Sequence, residues 1–345
     1  MIGEVLSRVD ASGELFRDVC YEWEEEVAKY LDVPIRQVIV PSQKPDSILA
    51  RSKNFIKKIF PAVVRIKRKA VSLALKQDVN GSLSVCFLMF TYEMPVCNGS
   101  NCIPIFLDVW SELDVQEVVR FTKNSQLFYV TSRDVYNRVK AISPQSNVHY
   151  MPLSIADKYH SPNFAAYRNK TIDVLHSSRK NPVLHEYMTR YVSKHSGLDY
   201  VYKENGEYIS TLRGNIGRCP SRADYMNLIA SAKVCLVGCS GIDGSRADTN
   251  GICFPTPRFY ESAVSGCALI GRYPDNQEFR ELNISRYCPN ITSYDQFTRE
   301  LERALSQTPE ELYAQNRDFI LNSLTSKRAE QIQHDLEELT CGQSS

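Results

Sequence analysis

Residues 254–271 read FPTPRFYESAVSGCALIG, and two of them, Arg258 and Glu261, carry opposite charges three positions apart. On a helix that spacing puts both side chains on one face. Thr256 is placed to cap such a helix, Pro257 suits its first position, and Gly266 supplies the left-handed residue that ends it before the next strand. The first turn leaves backbone N–H groups for an anion, and a carboxylate one turn further in accepts two hydrogen bonds from a vicinal diol such as a ribose. The pattern therefore reads as a place for an anion and a diol side by side. The plain alternative is a surface ion pair worth about 0.2–0.5 kcal/mol.

Further candidates stand where apolar runs end. Residues 103–110 (IPIFLDVW) put Asp108 just past a buried strand, at the edge of an open α/β sheet where ligands bind. An acid there can orient or deprotonate a hydroxyl, or it can cap the helix that opens with Ser111-Glu112-Leu113. The run 84–90 (SVCFLMF) leads into Tyr92-Glu93-Met94-Pro95, which makes Glu93 a rival. The run 171–175 (TIDVL) leads into His176-Ser177-Ser178-Arg179-Lys180. Its imidazole and cations are either ligand contacts or a buried strand end followed by solvated charges. Residues 51–76 hold nine Lys and Arg with no acid, interleaved with Phe55, Ile56, Ile59, Phe60, Val63 and Val64. Such a stretch lies on anionic lipid, at about 1 kcal/mol per basic residue, or packs its apolar side inward as a solvated helix.

The elements that must position these groups alternate along the chain. The first half holds strand patterns at 36–40, 84–90, 103–107, 126–131 and 148–151, and a helix at 133–141. After the polar segment 161–170 (SPNFAAYRNK) the rhythm restarts, with strands at 171–175, 200–202, 234–237 and 268–271. Helices are expected at 182–195, 222–232, 257–265, 294–305 and 309–339, the last capped by Thr308 with Glu310 and Glu311 in its first turn. Near-continuous apolar runs of this length suit strands covered on both faces. Two successive halves of this kind predict an α/β protein of two Rossmann-like domains facing across a cleft. The expected divisions are 1–160, 161–325 and a closing helix and tail at 326–345.

Over residues 171–340 the sequence resembles the glycosyltransferases of the two-Rossmann (GT-B) architecture, closest to group 1 and to the spore-maturation-like enzymes of bacterial polysaccharide clusters. Their C-terminal domain carries a helix of the form R-F/Y-E-A-x-A-x-G before an apolar strand. Here it reads Arg258-Phe259-Tyr260-Glu261-Ser262-Ala263-Val264-Ser265-Gly266, then 267–271. The resemblance implies that Glu261 holds the ribose of a nucleotide-sugar donor, with Arg258, Phe259 and Tyr260 beside it. It implies that Arg179 and Lys180, near His176, neutralise the diphosphate without a metal, and that Ser240 and Gly241 of the Gly238-Cys239-Ser240-Gly241 loop approach it. The first domain is then the acceptor side, where Asp108 or Glu93 serves a glycan or lipid-diphosphate-linked acceptor, at a membrane touched by residues 51–76. The segment 322–339 is similar to the helix that crosses back to the first domain. Many retaining members carry a second acid eight residues before the glutamate, where this chain has Cys253, so retention and inversion both stay open. The expected activity is hexosyl transfer in surface polysaccharide synthesis. The alternatives are a sugar-nucleotide epimerase and a non-catalytic partner on the same architecture.

Composition narrows the classes. A chain of 345 residues suggests two domains, and 43% hydrophobic with 23% charged residues argues against disorder. With 41 Lys and Arg against 40 Asp and Glu, the net charge of +1 supplies no global field for nucleic acid. The 11 cysteines are scattered, and the pairs Cys97/Cys102 and Cys235/Cys239 fit no zinc or redox spacing. They read as small buried hydrophobes in a reducing cytoplasm. The start MIGEVLSRVDASGELFRD lacks the apolar core of a signal peptide, and no apolar window is long enough to span a bilayer. A cytoplasmic protein peripheral to the inner membrane is expected. Sequons at Asn80, Asn98, Asn169, Asn283 and Asn290 then read as chance.

Overall fold

Apolar runs too continuous to leave one face in water build two separate sheets. The computed structural model describes residues 2–9, 17–39, 82–91, 93, 101–161, 167, 169–244 and 249–342; the basic stretch 51–76 lies outside them. The first lobe comprises β1 (Ile2–Val9), α1 (Asp18–Leu31), β2 (Ile35–Ile39), β3 (Leu83–Leu88), β4 (Cys102–Phe106), α2 (Glu112–Phe121), β5 (Phe128–Val130), α3 (Arg133–Ile142) and β6 (Val148–Tyr150). Its six strands lie in the order β2-β1-β3-β4-β5-β6, every pair parallel. Strand β5 is buried along its whole length, as covering on both faces requires.

The second lobe comprises β7 (Ile172–His176), α4 (Pro182–Val192), β8 (Tyr200–Glu204), β9 (Glu207–Ser210), β10 (Gly214–Gly217), α5 (Arg222–Ala230), β11 (Ala232–Gly238), α6 (Pro257–Val264) and β12 (Ala268–Arg272). It is completed by α7 (Gln277–Glu281), α8 (Tyr294–Ser306), α9 (Pro309–Asn322) and α10 (Thr325–Gly342). The strand order is β10-β9-β8-β7-β11-β12, parallel from β8 to β12 with an antiparallel edge. The protein is thus an α/β molecule of two six-stranded, Rossmann-like sheets.

Three features depart from the sequence pattern. Strand β1 was hidden because Glu4 and Ser7 interrupt its apolar alternation. Glu4 is nonetheless buried, and it accepts hydrogen bonds from Arg36 at 2.8 and 2.7 Å and from the Ser84 hydroxyl at 2.8 Å. The edge hairpin β8–β9 turns on Asn205-Gly206, whose positive φ angles of 48° and 86° suit a tight primed turn. The helix expected at 309–339 is two helices. The chain breaks at Ser323 and Leu324 to bridge Ile155: Ile155 N–H donates to Ser323 O at 2.9 Å, and Thr325 N–H donates to Ile155 O at 3.0 Å. Beyond the break α10 packs on α1 of the first lobe, with Asp335 accepting from the Tyr129 hydroxyl at 2.9 Å.

The cysteine reading needs correction. Cys239 and Cys253 form a disulfide across 14 residues of sequence, and Cys102 is disulfide-bonded as well. Cys20, Cys86, Cys235, Cys267 and Cys288 are free and buried, as small hydrophobes. Disulfides persist in oxidising surroundings, so the cysteines no longer argue for a reducing one. Among the described residues no helix is long and apolar enough to cross a membrane.

Candidate functional site

Helix α6 starts as its sequence requires. Thr256 is the N-cap residue in extended conformation and Pro257 stands at N1, while Gly266 after the helix has φ 71°. The Thr256 hydroxyl does not cap the helix; it lies 3.4 Å from Gly238 O, at the end of β11. The helix then buries its length. Phe259 packs edge-on against Tyr273 and Phe279, and Tyr260 stacks on Phe319 with ring centroids 5.4 Å apart. The rings expected beside a donor are therefore taken up in the core of their own lobe.

Glu261 is 1% exposed. It accepts a hydrogen bond from Arg222 Nη1 at 2.5 Å and another from the Tyr225 hydroxyl at 3.1 Å. Arg222 is the first residue of α5, whose N-cap Ser221 accepts from Asp224 N–H. The same guanidinium reaches the other lobe, with Nε 3.3 Å from Glu22 Oε2 on α1. Glu22 is also paired with Lys158 at 3.1 Å and accepts from the Tyr159 hydroxyl. Behind Glu261, the Tyr225 hydroxyl lies 3.3 Å from that of Ser177, and the Tyr208 hydroxyl donates to Ser177 O at 2.9 Å. A chain of contacts through α1, α5, α6, the end of β7 and β9 thus runs by way of this carboxylate between the lobes.

Arg258 is half-buried beside this group and is influenced by Tyr225, Glu261, Arg222 and Tyr208. Its partner is not Glu261 in a surface pair, because Glu261 is held by Arg222. Arg222 Nη2 and Arg258 Nε are both buried without a hydrogen-bond partner among the described residues. A buried donor left unmade costs about 1–3 kcal/mol, so both favour an oxygen from outside the chain, of water or of a ligand. Burial opposes the charge on Arg222, but Glu261 and Glu22 more than offset it and raise its pKa. Burial and the neighbouring Glu261 push the Tyr225 hydroxyl well above the usual tyrosine range.

The remaining second-lobe candidates surround the same sheet edge. His176 is buried at the end of β7, where its Nε2 accepts from Asn181 N–H at 3.2 Å and its Nδ1 has no partner. Burial lowers its pKa to about 3, so the ring is neutral. Arg179 is exposed, while Lys180 pairs with Glu204 at 3.0 Å and lies over the Tyr202 ring. Ser240 and Gly241 follow β11, in a loop tied to the start of α6 by the Cys239–Cys253 bond. Gly241 has φ 90°, and a Cβ there would meet Thr249 Oγ1 at 2.1 Å, so no other residue fits. Two residues on, Asp243 takes a two-pronged ion pair from Arg272 at 2.5 and 2.6 Å.

In the first lobe the two acids part company. Glu93 is 1% exposed, with Arg8 at 2.7 Å and Arg17 on one oxygen and Met89 N–H at 2.9 Å on the other. Both oxygens of Glu93 are thus engaged within the first lobe. Asp108 is half-buried just beyond β4, and it does not cap α2: Ser111 does, in a reciprocal box with Asp114. The cleft is closed beside it, where Trp110 stacks on Phe254 of the second lobe with centroids 4.6 Å apart. Among the described residues a group able to hold a metal is His334, Asp335 and Glu338 on α10, not on the elements that gather at Glu261.

Arg222, Tyr225, Ser177, Tyr208 and Glu22 were not anticipated. Arg222 had a local signal, since it follows a Ser N-cap as Arg258 follows Thr256-Pro257. Glu22 had none, lying 200 positions from its partner.

No protein-family model matches the chain, and no curated protein matches it in sequence. Solved structures do resemble it. The N-terminal domain of Candida albicans trehalose-6-phosphate phosphatase aligns at TM-score 0.57 and 9% identity, over 98% of this chain and 96% of that one. A putative UDP-N-acetylglucosamine 2-epimerase from Listeria monocytogenes aligns at TM-score 0.54 and 10% identity, again over 98% and 96%. A variant of S. aureus TarM in complex with Fondaparinux, alpha-GlcNAc-glycerol and UDP aligns at TM-score 0.50 and 10% identity, over 78% of this chain and 58% of that one. At such identities the likeness is one of fold, and the fold it supports is the two-lobed GT-B architecture.

Proposed function

We propose that the chain is a glycosyltransferase of the group 1 and spore-maturation-like kind, moving a sugar from a nucleotide-sugar to a glycan or lipid-diphosphate-linked acceptor in surface polysaccharide synthesis. One observation carries the reading: two arginines with unmet buried donors flank Glu261 where the second lobe faces the first. Glu261 is assigned to the ribose diol, and Arg258 to the diphosphate together with Arg179 and Lys180. Charge grows on the departing phosphate during transfer, and fixed cations and dipoles aimed there contribute most to rate. Ser240 and Gly241 bring backbone close to it, and neutral His176 fixes the turn after β7 through Asn181 N–H. Asp108 activates the acceptor hydroxyl if the configuration inverts. Residues 51–76 are assigned to an anionic membrane surface.

Calorimetry against UDP-, GDP- and CMP-sugars tests the reading. Glu261→Ala is expected to weaken whichever donor binds, and an unchanged affinity ends the assignment. A second reading has support in the near-complete overlap with the Listeria structure: an epimerase. It releases free nucleotide and epimerised sugar with no acceptor present, so product analysis separates the two.

A further inference from the structure

Glu22 belongs to one lobe and Arg222 to the other, yet they share an ion pair at the carboxylate assigned to the donor. We infer that Glu22 is a gate. It holds Arg222 across the lobe boundary, and a diphosphate-bearing ligand takes Arg222 from it, so ligand binding and release of this lobe-to-lobe contact are one event. The inference rests on the donor-site reading above.

Three features support an exchange rather than a permanent bond. The Arg222–Glu22 contact, at 3.3 Å, is longer than the 2.5 Å contact to Glu261, and is the first to yield. Glu22 is not stranded when it yields, because Lys158 and the Tyr159 hydroxyl still hold it. Both belong to the turn Asp157–Tyr159 that leaves the first lobe, so Glu22 falls back on its own side. Arg222 meanwhile gains, since its Nη2 is buried without a partner and Arg258 Nε beside it is in the same condition. Two guanidinium groups match the paired oxygens of a diphosphate. Charge agrees with this. Asp18, Glu22 and Glu261 balance Lys158, Arg222 and Arg258 here, and an arriving diphosphate adds negative charge that repels Glu22.

Inorganic pyrophosphate and UDP, titrated by calorimetry into the full chain, test the gate. Glu22→Gln is expected to bind both roughly tenfold more tightly than the wild type, the effect of about one charge-assisted contact no longer competing. Arg222→Gln is expected to bind them roughly tenfold more weakly. A damaged fold does not tighten binding, so the gain is specific to gating. Should Glu22→Gln fail to fold by circular dichroism, Glu22→Asp replaces it: the carboxylate withdraws from Arg222, and a smaller tightening is expected. If the folded variant binds no more tightly than a wild type that does bind, the gate is wrong and the donor site stands. If neither protein binds pyrophosphate or UDP, gate and donor site fall together.

Discussion

Glu93 and Glu261 are each 1% exposed, each sits at the carboxyl edge of a lobe's sheet, and each is held by arginine. Their partners differ in where they are anchored. Those of Glu93 are Arg8 from β1, Arg17 at the N-cap of α1 and the Met89 N–H, all within the first lobe. The arginine on Glu261 is shared with Glu22 across the lobe boundary. Burial alone therefore does not tell the two carboxylates apart. What separates them is whether all the partners belong to one lobe.

The largest effect expected from this contrast is on stability. Glu93→Ala leaves two buried guanidinium groups uncompensated and should cost about 3–5 kcal/mol by urea unfolding. The same change at Glu261 should cost less, because Arg222 keeps Glu22. Equal losses would break the comparison. Next comes the Cys239–Cys253 bond, which closes a loop of 14 residues and holds the β11 loop against the start of α6. Cys253→Ser, or reduction, should lower stability by about 3 kcal/mol, read as a shift in urea midpoint. No shift with reductant would mean that the bond is absent from the protein as made.

A pH profile repeats the contrast. Burial raises the carboxyls of Glu24, inside the first lobe, and Glu278, from a usual 4.5 to about 8. Glu278 lies between the lobes: it accepts from Arg133 N–H at the start of α3, at 2.8 Å. Between those values the native state holds more protons than the unfolded chain. Stability contributed by the neutral acids is thus complete below about pH 4.5 and lost as pH rises towards 8, by at most about 1.4 kcal/mol per unit for each group. Glu24→Gln and Glu278→Gln should each flatten that slope, and a slope indifferent to both would refute the assignment. The smallest effect is at Lys180, whose pair with Glu204 is solvent-exposed. Lys180→Ala should change stability by less than about 1 kcal/mol. A loss of donor affinity in that variant would sharpen its role at the diphosphate.

Much of the architecture was legible because it is written in short spans. The apolar runs that became β3, β4, β7, β11 and β12 announce strands buried on both faces, and Thr256, Pro257 and Gly266 announce α6. Strand β1 was not legible, since its apolar pattern is broken by a glutamate whose burial depends on Arg36 and Ser84. Nor was the break at Ser323, which carries no Pro or Gly and exists because Ile155 supplies backbone partners there.

The chain by itself determined which segments become helix or strand and that Arg258 and Glu261 share a helix, because capping, glycine conformation and apolar period act over a few residues. Only the tertiary structure decided that Arg222 rather than Arg258 holds Glu261, that Glu22 shares Arg222, that Glu93 is held by arginines of the first lobe and that Cys239 meets Cys253. A charge or a thiol takes the partner nearest in space once water is excluded, and that neighbour lies anywhere from 14 to 200 positions away along the chain.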